Sequence, residues 1–495
     1  MESIEPGKIL ELMTYDPSSP LLFNSGLFLV LFLVFYTIYT FLSGKRSTSV
    51  RLLYVTAFSY YFYYKNAGSY CCLLAIITLV NYFTAIAIEK QGTKAGKRVF
   101  LWIAVAFMVG QLAFFKYTNF FLQAADQLAG AKFTAIDIFL PLGISFFTFQ
   151  SLSYIIDVYR GQMPASRSIL SVAFFVSFFP TILSGPILRA RTFLPQLREN
   201  VTITREIFGI GLWYIITGLF KKAVISDYIG ENFVNRIFDN PSLYTGLENL
   251  MGLYGYALKL YCDFSGYSDI AIGIALWMGF RIPQNFRAPY KSDSITDFWR
   301  RWHISLSSWL RDYLYISLGG NRKGNVRMYF NLFITMVLGG LWHGASWNFL
   351  VWGGIHGAAL GIHKKFRNIL GHDRHYHSHG WRKIVAIFLT FHLICFCWLF
   401  FANTTFEASM VMLTKIFTDF HPELFSQFIA GYPAVTALIA FGFILHYLPE
   451  SLNLKTQSLI SRSPMALQVV YLVIIIFIVV QVRGSEVQPF IYLQF

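Results

Sequence analysis

Residues 328–362 read MYFNLFITMVLGGLWHGASWNFLVWGGIHGAALGI, a run without Lys, Arg, Asp or Glu that carries His343 near its middle, in Leu341-Trp342-His343-Gly344. An ionisable group in so apolar a segment faces hydrocarbon or a cavity within it, a costly placement that points to function. Arg327 and Lys364-Lys365 fence the segment. The sixteen residue steps from Arg327 to His343 span about 24 Å of helix. A continuous helix over the whole run would exceed a hydrocarbon core of about 30 Å. The run must therefore tilt, bend or break, and the pairs Gly339-Gly340 and Gly353-Gly354 are the expected places.

Working outward, the composition agrees. Of 495 residues, 55% are hydrophobic and only 13% charged, against about 25% charged in soluble domains. An all-α polytopic membrane protein is expected, with about eleven transmembrane helices plus re-entrant and interfacial helices. The 51 Phe and 29 Tyr suit lipid-facing surfaces and interfacial belts. The formal charge of +15 does not suggest nucleic acid, because the basic residues fall in short loops between apolar spans. Loops with Lys45, Arg46 and Arg51, and with Lys90, Lys94, Lys97 and Arg98, should be cytoplasmic by the positive-inside rule, placing the acidic N-terminus outside. That N-terminus lacks the basic start of a signal peptide, so the first apolar run, Leu21 to Leu42, should stay as a helix. The five cysteines show neither metal nor disulfide spacing. The chain reads as one integral membrane domain: N-terminal helices over 1–140, a core over 141–402 with an interfacial helix at 294–316, and C-terminal helices over 403–495.

Polar interruptions mark the core. FFPTILSGPILRA places Pro180, Gly185 and Pro186 inside an apolar run, which implies either a re-entrant hairpin or one kinked helix. Lys221-Lys222 sits near the outer side, either snorkelling or lining a polar channel. YCDFSGYSD sets Asp263 and Asp269 in another apolar run, where they serve either as structural hydrogen-bond anchors or as walls of a substrate path. Ser294-Ile295-Thr296-Asp297 has the form of a capping box. A helix starting there places Trp299, Trp302, Leu306, Trp309, Leu310 and Tyr313 on one arc, with Arg300, Arg301, Ser308, Arg311 and Asp312 opposite. His303 lies at the edge of the apolar arc. On its own it reads most simply as a histidine bonded to a neighbouring carbonyl. His356 shares the glycine-rich setting of His343, and the cluster His372, His375, His377 and His379 reads as a solvated loop; no metal site is expected.

The longer motifs resemble a known family. RAPYKSDSITDFWRRWHISLSSWLRDYLYISLGGNR followed by GGLWHGASWNFLVWGGIHG resembles the membrane-bound O-acyltransferases, specifically their alginate O-acetylation branch. PLGISFFTFQSLSYIIDVYRG, FFPTILSGPILR, YCDFSGYSDIAIG and the terminal PFIYLQF extend the match from about Pro141 to Phe495. The resemblance implies a central funnel or tunnel with His343 as catalytic histidine and His303 as the second. It implies an acetyl group moved from a cytoplasmic thioester, with acetyl-CoA as the expected donor and no tightly bound cofactor, for O-acetylation of an extracytoplasmic polysaccharide. Trp342 and Asn348 are candidates for holding the developing oxyanion. Arg322 and Lys323, in GGNRKGNVR, are candidates for meeting the donor's phosphates, although a plain cytoplasmic anchor also explains them. An extracytoplasmic transferase or esterase-like partner, contact with membrane lipid and a bacterial inner-membrane location are expected. The alternatives are D-alanyl transfer from an acyl carrier protein to teichoic acid, and a non-enzymatic transporter.

Overall fold

The computed structural model describes residues 6–45, 48–130, 134–199, 202–373, 376–482 and 488–491. Among these residues all regular structure is helical. Arg46, His375 and residues 492–495 of the terminal motif lie outside the described residues. The first long helices are α1 (Gly26–Lys45), α2 (Thr48–Ala67), α3 (Cys71–Lys90), α4 (Lys94–Ala129) and α5 (Ile144–Tyr159). Their apolar runs satisfy backbone polar groups within each segment, as hydrocarbon requires. Polarity is arranged accordingly: Leu33, Phe41, Phe83, Val473 and Phe477 stand exposed, while Asn81, Ser151, Lys222 and Asp263 are buried.

Six stretches are long and apolar enough to cross a membrane, or seven if Pro422–Gly431 and Pro433–Tyr447, bent by 102°, form one span. The expected count of about eleven is not reached by this measure. One reason is length: α5 has 16 residues and the next helix, α6 (Ile169–Ser177), has 9.

The chain divides into two compact units. One comprises Met1–Gly211 with Ile270–Pro283, the other Leu212–Asp269 with Gln284–Ile491. In the first, the proline-bearing interruption is real. Helix α6 stops at Phe178, and a single turn, α7 (Phe179–Ile182), follows with Pro180 in its first turn, where a missing N–H costs least. The amide of Phe179, freed from the helix ladder, donates to the Ser59 hydroxyl of α2 at 3.2 Å. The Phe179 ring packs among Phe32, Phe35, Phe58 and Phe62, with centroids 5.1–6.5 Å away.

The helix α8 (Arg205–Leu219) runs into a π-helix, Phe220–Asp227, and the long α9 (Gly246–Trp277) follows. Beyond them the second unit holds two departures from the sequence reading. The helix expected over 294–316 is broken: α10 (Ile295–Arg301) and α11 (Ile304–Trp309) are separated by extended Trp302 and by His303 at φ 42°, and a π-turn covers Leu310–Tyr315. Of the expected arc, Trp302, Leu306, Trp309, Leu310 and Tyr313 are nonetheless buried and Trp299 is half-buried, so periodicity located the face but not the break. The capping box is half present. Ser294 Oγ accepts from Asp297 N at 3.3 Å, while the Asp297 carboxylate turns to Arg301 Nε at 2.8 Å.

The second departure concerns residues 328–362. The chain breaks after His343, not at either glycine pair, giving α12 (Asn325–His343) and α13 (Trp347–Ile369). Ser346 starts α13 by accepting from Asn348 N at 3.2 Å. The glycines instead let the two helices touch. A Cβ on Gly340 would lie 2.1 Å from the Phe349 carbonyl oxygen, and one on Gly353 would lie 2.5 Å from that of Met336. Small residues at such crossings allow backbone approach in membrane bundles.

Candidate active site

The site lies within the second unit, where α12 ends. His343 is the last residue of α12 and is 4% exposed. Aromatic edges surround its imidazole: Trp342 at 4.9 Å between ring centroids, Trp352 of α13 at 5.1 Å, and Phe401 of α14 (Gly380–Ala402) at 5.0 Å. The chain turns immediately after it at Gly344, where a Cβ would lie 2.0 Å from the Phe349 ring. Only glycine fits that contact, so the turn and the ring that closes the pocket are specified together.

His303 faces the same cluster and is fully buried. Its left-handed backbone, a conformation costing a non-glycine residue about 1–3 kcal/mol, is the kind of local strain that gathers at functional sites. Asn285 holds the ring. Its Oδ1 lies 3.2 Å from His303 Nδ1 and also accepts from Ser305 N at 3.1 Å and Ser305 Oγ at 2.9 Å. A backbone N–H can only donate, so the shared atom is the amide oxygen and His303 Nδ1 carries the proton. The acceptor nitrogen of His303 is therefore Nε2. Burial drives this imidazole toward its neutral form. Phe264 stands edge-on at 4.6 Å, and Trp342 at 6.1 Å. Trp342 thus touches both histidines, and the structure brings His303, Trp342 and His343 into one cluster.

Other sequence candidates have different surroundings. The donor hydrogens of Asn348 go to Asn403 O at 2.8 Å and Ser409 Oγ at 3.4 Å, tying α13 to α15 (Phe406–Thr418). Asp263 takes Lys222 Nζ at 2.7 Å on one oxygen and Ile491 N at 2.8 Å on the other. Asp269 pairs with Lys221 at 2.6 Å. Both acids are thus held in ion pairs, and Lys222, 1% exposed, does not snorkel. Arg322 and Lys323 lie on an exposed loop. Asp293, Asp297 and His377 have oxygen and nitrogen atoms within 4.8 Å of one another. Those atoms are engaged locally, with His377 Nδ1 and Ser378 N on Asp293 and Arg301 on Asp297.

Sequence reasoning missed Asn285, which orients His303 from eighteen residues away. It also missed Trp352 as a wall of the His343 pocket, since tryptophan in an apolar run is ordinary packing. Nothing in PQNF marks the asparagine.

This arrangement gives two imidazoles, buried among rings, with the Trp342 indole touching both. Such a site can move a proton to and from a reacting hydroxyl while excluding water. The profile of the membrane-bound O-acyltransferase family matches residues 164–401. The chain is 39% identical over 433 residues to the probable alginate O-acetylase of Pseudomonas syringae pv. tomato, covering 85% of this chain and 80% of that one. It is 36% identical over 422 residues to the peptidoglycan O-acetyltransferase of Helicobacter pylori, covering 79% of each. With the teichoic acid D-alanyltransferase of Bacillus subtilis the identity is 33% over 282 residues, covering 54% of this chain and 69% of that one.

Proposed function

Since the chain belongs to the membrane-bound O-acyltransferase family and is a multi-pass membrane O-acyltransferase, we propose that it carries an acetyl group from a cytoplasmic thioester, with acetyl-CoA as donor, to a hydroxyl destined for an extracytoplasmic polysaccharide. The observation that carries this reading is the joined cluster His303–Trp342–His343 at the end of α12. In it His343 acts as general base. It takes the proton of the attacking hydroxyl and returns it to the leaving thiolate. His303, with its proton fixed on Nδ1 by Asn285, offers Nε2 to the same path as a second acceptor. The aromatic walls keep water from competing for the acyl group.

Identity to relatives that act on alginate and peptidoglycan supports an acetyl group and a polysaccharide acceptor. A partner outside the membrane completes delivery in this reading, and the bacterial inner membrane, with the N-terminus outside, is the setting. The D-alanyl alternative has support over a shorter share of the chain. Binding of a purified acyl carrier protein, with no turnover of acetyl-CoA, would favour it. The central test is His343→Ala. Polymer O-acetylation should disappear while membrane abundance stays at the wild-type level, and retained acetylation would overturn the assignment.

A further inference from the structure

Helix α13 carries Trp352 and His356 one turn apart, exposed by 1% and 0%. Their rings are in contact at 4.6 Å, and the Trp352 ring also stands edge-on to that of His343 at 5.1 Å. From α10, Trp299 Nε1 meets His356 Nδ1 at 3.2 Å. An indole N–H can only donate, so Nδ1 is the bare nitrogen and the hydrogen of His356 sits on Nε2. Among the described residues, neither His356 Nε2 nor Trp352 Nε1 has a hydrogen-bond partner, and both atoms are shut off from solvent. Buried donors are ordinarily satisfied. Two orphaned N–H groups on touching rings, beside the proposed base, call for an acceptor that arrives with the substrate.

We propose that Trp352 Nε1 and His356 Nε2 hold the carbonyl oxygen of the acyl thioester and the oxyanion that it becomes. This rests on His343 as the reaction centre. The acceptor hydroxyl oxygen bonds to the thioester carbonyl carbon while its proton passes to His343, and the carbonyl π pair moves onto oxygen between the two donors. The C=O bond then re-forms, the C–S bond breaks with its electron pair on sulfur, and His343 gives the proton to the thiolate. Donors fixed in a dry aromatic setting suit a charge that exists only during reaction. Trp299 is a positioning residue, since its N–H sets the tautomer that makes His356 a donor.

The full chain in nanodiscs, with acetyl-CoA as probe, provides the test. Trp352→Phe and His356→Phe keep the rings and remove the donors. Each should lower kcat about 100-fold, as loss of an oxyanion donor does, with KM nearly unchanged. His356→Gln, whose amide can donate, should recover much of the loss. Wild-type kcat in either phenylalanine variant overturns the proposal. If His343→Ala is inert while these variants keep full rate, only the donor assignment fails. If His343→Ala keeps full rate, the base assignment fails first. A readout independent of variants on α13 is the infrared carbonyl stretch of ¹³C-labelled acetyl-CoA bound to His343→Ala. A shift below its aqueous wavenumber supports the two donors, and a shift above it, as in a merely dry pocket, overturns them.

Discussion

Asn285 is the residue whose removal best separates position from presence. With Asn285→Ala, Ser305 N–H and His303 Nδ1–H lose a shared buried acceptor, at about 1–3 kcal/mol for each orphaned group. Turnover should fall about tenfold to a hundredfold with His303 itself intact, as steady-state kinetics on the purified protein would check. An unchanged rate would remove His303 from the reaction path. At this scale the sequence was informative where chemistry is unusual for its surroundings. His343 stands out because it sits near the middle of a run without Lys, Arg, Asp or Glu, and family resemblance implied a role for it. Asn285 did not stand out, because its partners are brought near by folding and no local pattern records them. Asn348 was misleading for the opposite reason: it sits five residues from His343, yet its donors hold α15.

Among elements, the α12–α13 pair shows how far a pattern reads. Glycine pairs in an apolar run signalled irregularity, and irregularity exists, but at Gly344 to Ser346. Glycine serves both a bend and a close crossing, and only the partner's position tells which. Gly353→Leu should therefore act by driving the helices apart, since even a Cβ would lie 2.5 Å from Met336 O. Overpacking of this kind costs about 1–3 kcal/mol or more, so the detergent-solubilised protein should melt at lower temperature and lose activity together. A different element offers a pH-dependent prediction. After α15, His421 bonds to Glu423 at 2.8 Å and to Asp419 at 2.9 Å. These bonds, that of Glu423 first, raise its pKa above the ordinary histidine value. A raised folded-state pKa means the contribution is complete below about 6.5, the unfolded value, and is lost as pH rises through the folded value. The His421 ring resonance should titrate above 6.5, and Glu423→Gln should bring its midpoint down, as NMR on selectively labelled protein would measure.

Across the whole chain, composition and the apolar runs identified a helical membrane protein, because only 13% of the residues are charged and the bases fall in short loops between those runs. The partners of the buried charges were not legible. Lys222 pairs with Asp227, five residues on, because the π-helix hydrogen bonds i to i+5 and brings such residues to one face. An α-helical reading sets them apart. Lys222 also reaches Asp263 and Pro489 O, and Asp263 in turn holds Ile491 N. Asp263→Ala should cost about 1–3 kcal/mol, since the buried Ile491 amide loses its acceptor while Lys222 keeps Asp227. It should also release residues 488–491, so a cysteine placed by Gln488→Cys would react faster with maleimide in that background than in the wild type.

The same contacts impose an order on biogenesis. Ile491 leaves the ribosome 228 residues after Asp263, roughly 10–45 s later at ordinary elongation rates. During that interval Lys222 and Asp263 have already been made, and Asp227, five residues after the lysine, is the first counter-charge available. A nascent chain stalled before residue 488 would thus hold Lys222 through Asp227 and Asp263 while lacking the Pro489 carbonyl and the Ile491 amide that complete the cluster.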